Sequence, residues 1–253
     1  MATLAVVILT KNEEQNIRRC IASASFAHEV ILIDSGSQDN TCKIAGSMGA
    51  KVYHHDMGEE GFAGQRNFAL ECTRADWVMY LDADEEIPPA LAAEIMEHIN
   101  TEPRQVAAMK RISVVLGQVM YHGVYRPDMS TRLYPRDSVR WEGIVHENGL
   151  TDLPIVQLKS VMYHYCITSW EQYLGKFDRY TTLMAQKMHE QGKTTNGIAM
   201  HLHALFGFIQ MYILKLGFLD GMLGFTLCEN HYFYTLTKYA KLHNLNRELQ
   251  KNK

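Results

Sequence analysis

Several large functional classes are excluded by what this sequence lacks. Its five cysteines (Cys20, Cys42, Cys72, Cys166, Cys228) are dispersed, with no Cys-x-x-Cys pair. An odd, scattered set fits reduced thiols in a cytosolic protein better than a disulfide framework. Positive charge is not in excess: 25 Lys and Arg stand against 28 Asp and Glu, for a net charge of -3. There is thus no basic footprint, and no nucleic-acid partner is expected. No Gly-x-Gly-x-x-Gly follows the first apolar run, and no Walker-type Gly-x-x-x-x-Gly-Lys-Ser/Thr loop occurs. A nucleotide bound here would have its phosphates held by metal rather than by a glycine loop. Residues 2–9 are apolar, but no basic region precedes them and polar residues 10–14 follow at once, so they do not read as a signal peptide. No apolar stretch reaches the roughly 18 residues of a membrane-spanning helix.

What is present is organised around residues 76–88, DWVMYLDADEEIP. Five apolar residues, Trp77 to Leu81, read as a buried strand that stops where the acids begin. Asp82 and Asp84 then lie two positions apart, and residues i and i+2 of an extended segment point the same way. Two such carboxylates suit a hard divalent cation that also touches phosphate oxygens. A solvated acidic turn is the plain alternative.

The flanking chain supports the first reading. Residues 5–9 (AVVIL) form a first strand, and apolar residues Ile17, Ile21 and Ala24 recur at helical spacing after it. Residues 30–33 (VILI) form a second strand. It runs into a polar loop in which Asp39, Asn40 and Thr41 suit the cap of a helix near Cys42. Residues 50–53 read as a third strand and 62–72 as a helix. Strands alternating with helices imply parallel pairing and right-handed crossovers, hence an α/β open sheet. Ligands bind beyond the carboxyl ends of strands in such sheets, and polar clusters 10–14, 34–41 and 82–86 fall at three such ends.

The segments VVILTKNEEQNI, VILIDSGSQDNT, GFAGQRNFAL and YLDADEEIP resemble the family 2 glycosyltransferases, which have the GT-A fold: a Rossmann-like open mixed sheet flanked by helices. The RLYPR (132–136), VHE (145–147) and YHY (163–165) elements are similar to those of WaaE-type lipopolysaccharide-core glucosyltransferases. This resemblance covers essentially the whole chain. It implies that Thr10 and Glu13 line a nucleoside pocket and that Asp34 accepts a hydrogen bond from uracil. Arg66 and Asn67 would lie near the diphosphate or donor sugar. Asp82 and Ala83 would approach the ribose, and Asp84, with Asp82, would ligate Mg²⁺ or Mn²⁺. A metal and an arginine together stabilise the charge left on a departing nucleoside diphosphate.

Residues 107–116 read as a strand across the site, with 119–124 returning as a hairpin. Residues 132–134 and 139–141 read as short strands about a Pro135–Asp137 turn. An inverting transferase needs a base for the acceptor hydroxyl. Glu147 is the first candidate because it closes the VHE element, and Glu142 is the second. His146 would orient the base or the acceptor, with a loop histidine as the alternative. Trp141 offers a flat face for a sugar ring or a core tryptophan. His164, after an apolar stretch, would complete the metal site. Ser169 and Gln172 have the spacing of a capping box opening a helix that runs to about Gln191.

Residues 198–227 are rich in Phe, Leu, Ile and Met, with only Lys215 and Asp220 charged, and Gly207, Gly217, Gly221 and Gly224 interrupt them. Aromatic residues interleaved with Lys238, Lys241 and Arg247 follow. A re-entrant or interfacial segment on an anionic leaflet fits this pattern; core helices and a homo-oligomer interface are the alternatives. The expectation is therefore a GT-A catalytic domain over residues 1–195 and a helical, membrane-associating or oligomerising extension over 196–253. It would transfer a hexose from a UDP-sugar, with glucose as the donor sugar, to a lipid-linked saccharide (the heptose-containing inner core) at the cytoplasmic face of the inner membrane. The rivals are a family 2 transferase with another UDP-sugar or a polyprenyl-phosphate acceptor, and a membrane-associated scaffold that keeps the fold without activity.

Overall fold

The computed structural model describes residues 1–143 and 148–251. The chain divides into two compact units, Met1–Arg111 with Asp128–His164, and Ile112–Pro127 with the chain from Tyr165 onward.

The first unit is built on β1 (Leu4–Thr10), buried along its whole length. Its residues alternate between two cores. Leu4, Val6 and Ile8 join a cluster with Ile17 and Ile21 of α1 (Ile17–Ser23), Ala45 of α2 (Thr41–Ser47) and Leu91 and Ile95 of α4 (Pro89–His98). Ala5, Val7 and Leu9 join the opposite cluster with Ala63 and Ala69 of α3 (Gly61–Glu71). Helices cover both faces, so the strand reads as an unbroken apolar run rather than an alternating one.

Parallel to β1 lie β2 (Glu29–Asp34) on one side and β4 (Trp77–Asp82) on the other, and β3 (Lys51–His54) adds to β2. β8 (Asp128–Pro135) pairs antiparallel with β4, and β6 (Val106–Val115) pairs antiparallel with β8. β11 (Ile155–Ile167) and the two-residue β5 (Glu85–Glu86) complete the order β3-β2-β1-β4-β8-β6-β11-β5. The expected open mixed sheet is present. The 132–134 strand is longer than its apolar core indicates. The 139–141 strand is β9 (Arg140–Glu142), which leaves the main sheet and pairs with β10 (Asn148–Leu150).

In the second unit the expected 119–124 return strand is only β7 (Gln118–Val119), paired with Val114 and Val115. Gly123, at φ 61°, opens a 3-10 turn instead. Ser169 caps α5 (Trp170–Glu190) by accepting from the Gln172 N–H at 3.1 Å. The Gln172 side chain accepts from the N–H of Thr168, one residue earlier than a capping box requires. α5 buries Tyr173, Thr181, Ala185 and Met188, and α5 packs on α7 (Gly221–Lys251). That packing places α5 with the C-terminal helices, so the compact units do not divide at the expected 195/196 boundary.

The apolar tail also differs from expectation. α6 (Gly197–Ile209) runs through Gly207 without a break and continues as a π-helical turn, Gln210–Leu214. These 18 residues, with mean hydropathy 1.4, are long and apolar enough to cross a membrane by length and composition. Gly207 lies within the helix and Gly224 within α7, whereas Gly217 and Gly221 stand at the break between them, Gly221 at φ 68°; Gly217 and Gly224 also permit close approach. A Cβ at Gly224 would stand 2.2 Å from the Gly217 carbonyl oxygen.

Asp220, one of two charges in the tail, is 7% exposed. Its carboxylate accepts from the backbone N–H groups of Tyr121 (3.1 Å) and His122 (2.8 Å) and meets His122 Nδ1 at 2.7 Å. Removing a charged acceptor leaves these donors unmet. Asp220→Ala should cost about 2–3 kcal/mol of unfolding free energy in urea titration, and Asp220→Asn less.

Candidate functional site

The carboxyl ends of three parallel strands are flush. Register pairs Thr10 with Asp34 across β1 and β2, and Leu9 with Asp82 across β1 and β4. The three polar clusters foreseen in the sequence therefore emerge side by side.

Thr10 is buried at 5% exposure, its hydroxyl without a partner among the described residues. Glu13 Oε2 accepts from the Asn16 amide at 2.9 Å, and its own N–H donates to the Thr41 hydroxyl at 2.8 Å. Asp34 is 1% exposed. Its carboxylate accepts from Gly36 N (3.0 Å), Ser37 N (2.9 Å) and the Ser37 hydroxyl, and lies 3.3 Å from His54 Nδ1. Burial pushes its pKa up, but these donors outweigh burial and hold it below the ordinary aspartate range. Its oxygens are thus engaged in holding the Gly36–Ser37 turn rather than turned outward to a ligand.

Asp82 and Asp84 do not act as a matched pair, because the strand ends at Asp82 and the chain turns before Asp84. Asp82 Oδ2 accepts from Arg132 at 2.7 Å, and Oδ1 is 3.9 Å from Arg66. The same Arg132 donates to Glu85 Oε1 at 2.6 Å. Glu85 is fully buried; it also accepts from Arg111 at 3.1 Å and from the Asp82 N–H at 2.9 Å. Arg111 in turn grips Asp128 through two bonds, 3.0 and 2.7 Å. Burial raises the Asp82 pKa, yet Arg132, then Arg66 and Arg111, bring it down to about 2. Glu85 is pushed up by its complete burial and by the neighbouring Asp82 charge.

Asp84 is free of that network. Its Oδ2 lies 3.2 Å from Nε2 of His164, with side-chain exposures of 26% and 22%. A carboxylate oxygen and an imidazole nitrogen side by side suit Mn²⁺ well and Mg²⁺ less well. Asp82, the other expected ligand, turns one oxygen to Arg132 at 2.7 Å and leaves the other 3.9 Å from Arg66, with its side chain 39% exposed. Asp34, Cys42 and His54 also bring donor atoms within 4.8 Å of one another. Burial and the Asp34 charge push the Cys42 thiol up to about 11, however, which disfavours the thiolate a metal needs.

Other expected residues have different duties. The Asn67 amide exchanges two hydrogen bonds with the Trp141 backbone, 2.8 and 2.9 Å, tying α3 to β9. Trp141 is 7% exposed, packed against Tyr80 and Tyr134, with the Arg66 guanidinium 4.5 Å from its ring centroid. It is a core tryptophan, not an open sugar platform. Ala83 is buried, and Glu142 is exposed on β9. His146 and Glu147 lie outside the described residues.

Arg111, Asp128 and Glu85 were not singled out in the sequence, and Arg132 entered only within RLYPR. For the two arginines the signal is a charge inside a largely apolar strand: Arg111 in AAMKRISVVL and Arg132 in TRLY.

Residues 5–151 match the profile of glycosyl transferase family 2. An uncharacterized glycosyltransferase of Rickettsia prowazekii (strain Madrid E) is 30% identical over 267 aligned positions, covering 99% of this chain and 90% of that protein. A lipopolysaccharide core biosynthesis glycosyltransferase of Rhizobium meliloti (strain 1021), LpsC, is 26% identical, covering 95% and 92%. Glucosyl-3-phosphoglycerate synthase from Mycobacterium tuberculosis, solved with Mn²⁺, uridine diphosphate and phosphoglyceric acid, aligns over 78% of this chain and 81% of its own, with TM-score 0.46 and 20% identity.

Arg132→Met should leave Glu85 buried with one guanidinium partner fewer, a change that costs about 3–5 kcal/mol in urea unfolding. The pH dependence follows from Asp82. Its folded pKa lies below the unfolded value near 4, so its stabilisation is present above that pH and is lost as pH falls toward 2. Acid unfolding followed by circular dichroism should therefore begin at higher pH in Arg132→Met.

Proposed function

The chain belongs to glycosyl transferase family 2 and is a glycosyltransferase; on that footing we propose that it inverts an anomeric centre, moving glucose from UDP-glucose to the heptose-containing inner core of a lipopolysaccharide precursor. The observation that carries the donor half is the Asp84–His164 pair beside three flush strand ends. LpsC, by its name and near full-length match, supports the acceptor class.

In this reading Thr10 and Glu13 line the nucleoside pocket, and Asp34 shapes it through the turn it holds. Asp84 and His164 hold Mg²⁺ or Mn²⁺, which when bound neutralises diphosphate charge. Arg66, stacked on Trp141 and 3.9 Å from Asp82, presents a fixed guanidinium to the same region. The acceptor oxygen attacks the anomeric carbon, the bond to the diphosphate oxygen breaks, and the acceptor proton passes to Glu147, with Glu142 as the second candidate. His146 orients that base or the acceptor.

The acceptor's lipid anchor accounts for the apolar surface of the helical unit. Leu202, Phe206 and Leu214 are 61%, 62% and 68% exposed. We place this unit on the anionic inner face of the cytoplasmic membrane, lying in the interface rather than spanning it.

Purified protein should release UDP from UDP-glucose in the presence of a deacylated heptose-containing core and Mn²⁺ or Mg²⁺. EDTA or Asp84→Ala should abolish release. Glu147→Gln should lower kcat about 10²–10⁴-fold while UDP binding persists. Release unaffected by EDTA would overturn the metal dependence, and retained turnover in Glu147→Gln would move the base to Glu142. Loss of activity with no UDP binding in the wild type would favour the scaffold reading. Separately, the protein should sediment with phosphatidylglycerol-containing vesicles, and the double variant Leu202→Ser with Phe206→Ser should not.

A further inference from the structure

The helical unit contains a cavity of about 370 Å³, the size of a small-molecule site. Val124 and Tyr125 contribute to its lining, with Tyr173 and Phe177 from α5 and Leu227 and Tyr234 from α7. These side chains give it an apolar and aromatic wall. No aspartate or glutamate lines it.

One cation does. Lys176 donates to the Cys166 carbonyl oxygen at 2.8 Å, which uses one of its three N–H donors. Among the described residues no carboxylate pairs with it. No carboxylate in the lining opposes this ammonium group, so its charge is left for an anion that enters the cavity. His231, also in the lining, adds an imidazole whose N–H can donate to an anion. The carboxylates of this unit that are engaged are engaged elsewhere: Asp178 is bonded to Lys241, and Asp220 to the 121–122 backbone.

We propose that this cavity binds one acyl chain of an anionic membrane phospholipid, with the lipid's phosphate at Lys176. Two features of the same unit select that occupant. The lining asks for hydrocarbon and the lone cation asks for an anionic head. The unit's exposed apolar helix α6, with Leu205 at 49% and Phe206 at 62% exposure, offers a surface on which such lipids collect. The proposal rests on the membrane reading above and deepens it. Attachment then has two parts: a helix face that adsorbs to the leaflet, and a socket that holds one lipid with defined stoichiometry.

The test uses full-length protein titrated with monomeric lauroyl lysophosphatidylglycerol, followed by calorimetry and native mass spectrometry. Lauroyl lysophosphatidylcholine serves as the zwitterionic control. The expected result is one saturable site. Leu227→Trp, which fills the cavity from α7, should weaken it at least about tenfold. Lys176→Gln should weaken the phosphatidylglycerol form about tenfold and narrow its advantage over the zwitterionic phosphatidylcholine form. Val124→Phe, filling from a different segment, replaces Leu227→Trp should that variant lose its native circular dichroism. The double variant Leu202→Ser with Phe206→Ser should keep the site while losing vesicle sedimentation. Absence of saturable binding, wild-type affinity in both filling variants, or loss of the site only in the α6 double variant would each overturn the proposal. A wild-type protein that binds one lysolipid but does not sediment with vesicles would refute the membrane reading and leave the cavity assignment standing.

Discussion

One guanidinium holds the chemical end of the sheet together. Arg132, 6% exposed on β8, joins the carboxylates of Asp82 and Glu85. Without it, a fully buried glutamate and the last residue of β4 would repel each other at the point where the central strand ends. Arg111 and Asp128 extend the arrangement, and Arg66 closes it from α3. Three guanidinium groups thus face the carboxylates of Asp82, Glu85 and Asp128. That balance leaves Asp84 outside the network, facing only His164 among the hydrogen bonds recorded for it. The two acids of the Asp-x-Asp sequence therefore differ in setting: the first meets arginines, and the second meets the histidine with which it is proposed to hold a metal.

The helical unit follows a different logic. Its core is small, centred on Val115, Met120, Cys166, Tyr173 and Leu227, while α6 leaves most of its apolar side chains exposed. A chain that spends so many large apolar residues on its surface is not maximising its own core. Close approach at Gly217 and Gly224, and the Asp220 clasp on residues 121–122, hold these helices where hydrophobic packing is thin.

The catalytic core was the more legible half in the sequence. β1, β2 and β4 each announce themselves as short apolar runs ending in polar clusters, because helices bury both faces of the sheet. Their parallel register, and so the convergence of Thr10, Asp34 and Asp82, follows from strand–helix alternation alone. What the sequence hid was partnership. Nothing local to Asp82 distinguishes a carboxylate aimed at a metal from one aimed at Arg132, fifty residues away. Nor does anything local distinguish an Asn67 poised near a ligand from one that clasps the Trp141 backbone. Trp141 stayed open between a core and a sugar platform for the same reason: an aromatic side chain reads alike in both until its neighbours are known. In the helical unit, Gly207 masked the length of α6 because propensity, a weak signal, was outweighed, while Gly217 and Gly221 do mark a real break.

The flush ends of β1, β2 and β4 bear on how this protein can change over time. Each strand is a ruler whose length sets where its polar residue emerges. Point substitutions along these strands alter packing, but a single-residue insertion or deletion would exchange the two faces of every side chain beyond it and pull one of the three polar ends out of line. Length variation among relatives is therefore expected to be confined to the opposite rim of the sheet and to the helices. A designer grafting new specificity should cut there, leaving the strand lengths untouched.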